Sequence, residues 1–253
     1  MNEPTQTVIG NVTFAPNMLA NRVILVTGAG DGIGRTAARR FASFGATVIL
    51  LGRHIRKLEK VYDEIEQAGH PQAAIYPMNL EGASPRDYGD LAEVMEREFG
   101  QLDGLLHNAA IVEGLTPIAH YKIETWYRVL QVNLNAPFLL TRAVLGLMGR
   151  SPDASIVFTA DAVADEGRAY WGAYGVAKGG AQTLMRILAN ELESNTPIRV
   201  NSIDPGPTRT NLRARIYPSI EPSTWTDPET IMDVYLYLMG PDSTGITGQV
   251  FKA

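Results

Sequence analysis

The chain has 253 residues, 45% of them hydrophobic and 19% charged, which is enough apolar content to bury a substantial core and too little polarity for a disordered chain. A net charge of -5 argues against a phosphate-backbone binder, which ordinarily carries a basic patch or stripe, so no nucleic-acid partner is expected. With no cysteine there can be no disulfide, thiolate nucleophile or cysteine-ligated zinc, and His54, His70, His107 and His120 lack close metal-ligand spacing; redox chemistry here needs an organic cofactor and no metal is expected.

The first residues, MNEPTQTVIGNVTFAPNMLAN, include an acidic residue at Glu3 and have neither a basic start nor an apolar run, so they are not a secretory signal. No stretch approaches the ~20 apolar residues of a membrane span. The expectation is a cytoplasmic protein with no membrane partner. Residues 1–21 read as an N-terminal arm and 22–253 as one domain, because no Ser/Gly-rich linker or charge block divides the chain.

From residue 22 onward short β-branched runs alternate with longer amphipathic ones: RVILVT, GIGRTAARRFASFG, ATVILLG, HIRKLEKVYDEIEQAG and AAIYPMN, a βαβαβ order. A helix near Pro85 to Phe99, the strand LDGLLHN, a long helix from about Glu124 to Met148, the strand ASIVFTA, a helix from about Trp171 and the strand IRVNSI continue it. Strands buried on both faces by crossover helices predict an α/β fold with a doubly wound parallel sheet. After Asp204 a proline-rich stretch precedes the helix PETIMDVYLYLMG, and a loop of that length in a compact domain is a candidate lid, here 206–227.

The first strand-to-helix turn reads TGAGDGIG, with Gly28, Gly32 and Gly34 spaced as GxxxGxG around Asp31 and Ile33. Small residues let a backbone approach a pyrophosphate, and the helix that follows supplies free N–H groups and positive dipole character. The second strand, ATVILLGRH, ends where an NAD site places a carboxylate on the ribose hydroxyls. Gly52 stands there instead, followed by Arg53, whose guanidinium fork suits a 2′-phosphate, with Arg56 and Lys57 close by; Asp31 works mildly against a phosphate. NADP(H) is the expected cofactor, with NAD(H) possible in its place.

Tyr174 and Lys178 are four residues apart, so on a helix they share one face. A nearby ammonium favours the phenolate and is expected to lower the tyrosine pKa, fitting Tyr174 to carry a proton in a hydride-transfer reaction. In LQVNLNAPF, Pro137 lacks the N–H that would close the helical bond to the carbonyl of Asn133, which predicts a break in the ladder there.

Together TGAGDGIG, HNAA at 107–110, Asn133, YGVAK and DPGPTRT resemble the classical short-chain dehydrogenase/reductase family over nearly the whole chain, and ILVTGAGDGIGR, LDGLLHNAA and GRAYWGAY look like its YciK-type branch. The resemblance implies a single Rossmann-type domain, a homodimer or homotetramer built on the two long helices, and a small-molecule carbonyl or alcohol as substrate. It implies that Asn108 and Ala109 line the adenosine side, with Ala110 where the family keeps glycine. Asn79 and Leu80 would lie near the adenine, Pro205 and Gly206 would form the turn after which Thr208 and Thr210 hold the nicotinamide carboxamide, and the Asn133 carbonyl would hold a water linked to Lys178. Asp161 takes the place of the serine that gives a hydrogen bond to the substrate oxygen. An ionised carboxylate has no proton to give, and Thr159, two residues earlier on the same strand face, is the nearest alternative hydroxyl. Two functions are therefore carried forward: an NADP(H)-dependent oxidoreductase using Asn133, Asp161, Tyr174 and Lys178, and a cofactor-binding protein with little or no turnover serving as sensor or assembly partner.

Overall fold

The structure is a computed structural model and describes residues 6–9 and 12–253. The elements are β1 (Gln6–Val8), β2 (Val23–Thr27), α1 (Gly32–Ser43), β3 (Thr47–Gly52), α2 (Ile55–Gln67), β4 (Ala74–Pro77), α3 (Pro85–Phe99) and β5 (Gly104–His107). Then come α4 (Ile123–Leu130), α5 (Ala136–Met148), β6 (Ser155–Thr159), α6 (Val163–Glu166), α7 (Gly172–Leu192), β7 (Arg199–Asp204), α8 (Asn211–Ile216), α9 (Met232–Met239) and β8 (Val250–Lys252). The strands form one sheet in the order β1-β8-β7-β6-β5-β2-β3-β4, every pair parallel.

Each central strand is buried on both faces, which is why VILVT and SIVFT read as continuous apolar runs. One face packs against Ala37, Phe41, Leu58, Val61, Tyr235 and Leu236 of α1, α2 and α9. The other packs against Leu91, Met95, Leu140, Val144, Met185 and Leu188 of α3, α5 and α7. Local signals fix the helix ends: Asp31 caps α1 through the Gly32 amide, and α3 opens on a Ser84/Asp87 capping box with Pro85 in its first turn and closes on left-handed Gly100. The chain leaves β2 for β3 on one side and enters β5 on the other, so their carboxyl ends bound the crevice where open α/β sheets bind ligands.

Three sequence expectations change in detail. The long helix expected from Glu124 to Met148 is α4 and α5 joined by a π-helical turn at Gln131–Asn135, in which the Ala136 amide reaches back to the Gln131 carbonyl. Pro137 sits in the first turn of α5, where its missing N–H costs least. The expected N-terminal arm does not stand apart from the domain: β1 extends the sheet beside β8, and Leu19 is fully buried against the α1/α9 core. Residues 1–5, 10 and 11 of that arm lie outside the described residues. The stretch expected to be an irregular lid contains α8, and its base is closed by a bridge between Thr208 and Thr226. Among the described residues no helix is long and apolar enough to cross a membrane.

Candidate active site

A cleft of about 400 Å³ opens at the carboxyl ends of the strands, walled by the glycine turn after β2, the loops after β3 to β7, and α8. It brings together Gly28, Asp31, Gly32, Ile33, Arg53, Asn79, Leu80, Asn108, Ala109, Ala110, Asp161, Tyr174, Lys178, Pro205, Gly206, Thr208 and Thr210. Gly34 and Asn133 stand behind its wall.

The glycine turn is held by close approach. Gly28 has φ +68°, and a Cβ there would meet the Ala109 backbone at 3.0 Å. A Cβ on Gly34 would lie 2.5 Å from Asn108 Nδ2 and closer still to the Gly28 carbonyl, so only glycine lets α1 seat against β2. Thr27, which the sequence reading passed over, organises this junction. Its hydroxyl accepts the Asn108 and Ala109 amides at 2.9 and 3.0 Å and donates to the Leu106 carbonyl, while Asn108 Nδ2 donates to the Thr27 carbonyl at 3.2 Å. Asn133 steadies the next stretch of chain: its Oδ1 accepts the Ile111 amide at 2.9 Å and its Nδ2 donates to the Ile111 carbonyl at 2.8 Å. The extra methyl of Ala110 packs into an apolar cluster with Val129 and Trp171.

Asp31 is tied down from three sides: by Lys57 Nζ at 2.6 Å, by Asn211 Nδ2 at 2.8 Å and by the Gly32 amide at 2.8 Å. Burial works to raise its pKa, but those donors and the lysine charge outweigh burial and hold the carboxyl below its usual range. Lys57 is thereby largely neutralised, and Arg53, whose Nε donates to His54 Nε2 at 3.0 Å, is the guanidinium left on that rim. Arg56 does not line the cleft. On the adjoining loop after β4, Asn79 Oδ1 accepts the Glu81 amide and Leu80 is buried. The Thr208 hydroxyl donates to the Pro205 carbonyl at 2.8 Å, and the Thr210 hydroxyl caps α8 by accepting the Arg213 amide at 3.2 Å.

Tyr174 and Lys178, one turn apart on α7, are both buried. Their electrostatics correct the sequence expectation. The Tyr174 hydroxyl donates to Asp161 Oδ2 at 3.0 Å, while Asp161 Oδ1 accepts the Val163 amide. Lys178 Nζ donates to the Thr159 carbonyl at 2.6 Å and lies 5.7 Å from the centroid of the Tyr174 ring. Burial, then the charge of Asp161 and the hydrogen bond to it, push the Tyr174 phenol well above its ordinary value; Arg213 pulls weakly the other way. The phenol is therefore not depressed by Lys178, because the charged group bonded to its oxygen is an anion. Burial lowers the Lys178 pKa against the attraction of Asp161 and Asp204. Asp204, at the end of β7, was also missed; burial, reinforced by the charge of Asp161, raises it in spite of a bond from the Gly206 amide. Its signal was its place at a strand end beside the PG turn. The Thr159 hydroxyl faces Asn108 Oδ1 at 3.4 Å rather than the phenol.

Comparison with known proteins agrees with this geometry. A family model described as short chain dehydrogenase matches residues 22–221. The Escherichia coli K12 protein described as the uncharacterised oxidoreductase YciK is 42% identical, over 94% of this chain and 93% of its own. A solved structure from Pseudomonas syringae is 52% identical with a TM-score of 0.92, covering 96% of this chain and 99% of that one. One from Shigella flexneri, complexed with NADP, is 41% identical with a TM-score of 0.91, covering 94% and 99%.

Proposed function

The chain belongs to the short-chain dehydrogenase family of oxidoreductases, and we propose that it interconverts a carbonyl and an alcohol on a small molecule with NADP(H), Tyr174 carrying the proton. The observation that carries this reading is the buried Tyr174–Lys178 pair at one end of the same cleft whose other end is the glycine turn. The cradle fits a dinucleotide: Gly28 and Gly34, too closely packed on Ala109 and Asn108 to carry a Cβ, seat the first turn of α1 at the cleft, where it presents amides beyond the one Asp31 takes. Arg53 would hold the 2′-phosphate, Ile33 and its neighbours the pyrophosphate, and Thr208 the carboxamide. NADP bound to the Shigella flexneri relative supports that choice.

When bound, the dinucleotide supplies or accepts a hydride at the carbon that becomes or was the carbinol. The protein manages the proton. In alcohol oxidation Tyr174 can accept the alcohol proton while handing its own to Asp161, a relay that never requires the phenolate that burial and Asp161 disfavour. In carbonyl reduction the hydroxyl must turn from Asp161 to the substrate oxygen. A substrate with its own N–H donor or cation would occupy Asp161 and free that proton.

A second reading rests on the same bond. With its proton directed at Asp161 and no hydroxyl in the serine place, the site would bind cofactor and turn neutral ketones over slowly or not at all. Titration with NADPH and NADH, followed by turnover on neutral and amine-bearing carbonyls, separates the two. Tight NADPH binding with turnover of an amine-bearing substrate supports the enzyme; binding without turnover across the panel supports the sensor, and no NADPH binding refutes both.

A further inference from the structure

Arg213 lies on α8 and lines the cleft, yet its charge has no carboxylate partner among the described residues. The neighbouring Arg209 is paired with Asp227. Arg213 is instead held by aromatic faces, its guanidinium carbon 5.1 Å from the Tyr217 ring centroid and 5.6 Å from that of Trp225, which is buried. Tyr217 packs on Trp171, and Trp171 on Tyr174, so one aromatic chain fixes the guanidinium relative to the phenol. Its Nε is buried and donates to nothing.

A guanidinium cannot shed its charge when desolvated, so a fixed, partly dry one without a counter-ion is an arrangement that awaits an anion. We propose that Arg213 binds a carboxylate on the substrate, making this an oxidoreductase of oxo acids or hydroxy acids. This rests on the dehydrogenase reading of the cleft and names its substrate class. The planar fork presents paired N–H groups that match a carboxylate. Position favours a substrate group over a dinucleotide phosphate. Arg213 is linked through Tyr217 and Trp171 to Tyr174, and its charge reaches the phenol, whereas it is Asn211, at the start of α8, that reaches Asp31 at the glycine turn, and Arg53 follows β3. Asp161 and Asp204 leave the reacting end anionic, so the substrate carboxylate must sit away from its carbonyl, toward α8.

The test uses 4-oxopentanoate and 4-oxo-4-phenylbutanoate, whose carboxylates lie two methylenes from the carbonyl, with their methyl esters, titrated into the NADP-loaded protein and into protein without nucleotide, following tryptophan fluorescence. The acids are expected to bind the wild type about 10- to 100-fold more tightly than the esters, the range of a charge-assisted hydrogen bond. Arg213→Gln should erase that difference, Arg213→Lys should keep part of it, and NADPH affinity should be unchanged in both. Circular dichroism and thermal melts establish that each variant is folded, and Arg213→Lys carries the test if Arg213→Gln is not. Equal binding of acid and ester by the wild type, no binding of either acid, or an acid preference that survives Arg213→Gln overturns the proposal. Loss of NADPH affinity in Arg213→Gln with no acid preference in the wild type assigns the guanidinium to a cofactor phosphate and overturns it as well. If the wild type fails to bind NADPH while acids still bind through Arg213 without nucleotide, the dehydrogenase reading fails and the carboxylate site stands.

Discussion

Replacing Asp161 with serine tests the whole account of the proton machinery. In the wild type a carboxylate oxygen sits 3.0 Å from the phenolic oxygen of Tyr174. At an effective dielectric of ~20, a second negative charge at that separation is opposed by about 5 kcal/mol, so the phenol keeps its proton. The same carboxylate faces any alkoxide that develops beside Tyr174. Loss of one oxyanion donor typically costs ~100- to 1,000-fold in rate, and an anion in its place should cost more. Asp161→Ser removes the repulsion, supplies a hydroxyl donor and frees the Tyr174 proton. It is expected to raise kcat/KM for neutral ketones at least ~100-fold. The Tyr174 pKa should fall, because the anion and the hydrogen bond that raise it are both gone. With the Asp161 acceptor gone, alcohol oxidation in the variant must pass through the Tyr174 phenolate, so its rate should rise with pH across the range where a phenol titrates, a dependence that the wild-type relay through Asp161 does not require. The assay is steady-state turnover of neutral and amine-bearing carbonyls with NADPH, and of the corresponding alcohols with NADP, across pH 6 to about 10, the region where a phenol titrates. The reasoning is refuted if the wild type reduces neutral ketones efficiently and Asp161→Ser is no faster.

Three further outcomes are expected. Arg53→Ala should abolish most of a preference for NADPH over NADH, a loss of about 10- to 100-fold in NADPH affinity for one charge-assisted contact; equal affinities for the two nucleotides in the wild type would rule the assignment out. Gly34→Ala should destabilise the fold by about 3 kcal/mol and abolish nucleotide binding, since the new methyl collides with the Gly28 carbonyl and Asn108, and a melt within a degree of wild type would contradict the packing. His107 is fully buried against Phe158 and Thr141, and burial lowers its pKa from 6.5 to about 3. Between those values the unfolded chain binds the proton that the folded one refuses, so stability is fully present above pH 6.5 and is lost as pH falls toward 3. By pH 5 the loss is about 2 kcal/mol, and urea melts of His107→Asn should be flatter between pH 7 and about 5 by that amount; identical slopes would show that His107 does not titrate across unfolding.

The order of elements, the parallel sheet, the glycine turn and the Tyr174–Lys178 face were legible in the chain because each is encoded locally. Apolar periodicity reports burial, capping residues report helix ends, and a four-residue spacing on a helix reports a shared face. Pro137 likewise announced a break near Asn133, although its form, a single π turn, depended on how α4 and α5 each pack. What local patterns do not carry is which charged group reaches which oxygen. Asp31 and Lys57 lie 26 residues apart, and only the docking of α2 beside α1 joins them and removes Lys57 as a free cation at the phosphate rim. Tyr174 bonds to Asp161 rather than feeling Lys178 because the end of β6 turns the carboxylate toward the phenol while the ammonium is drawn to the Thr159 carbonyl. The raised phenol follows from that contact and from desolvation, both properties of the assembled cleft. Arg213 belongs with these: the sequence shows an arginine on an exposed-looking segment, and only the approach of Tyr217 and Trp225 from separate parts of that segment turns it into a fixed cation facing the cleft. Coulomb and hydrogen-bond energies change by kcal/mol over about an ångström, whereas sequence patterns constrain which faces are buried and leave such separations to tertiary packing.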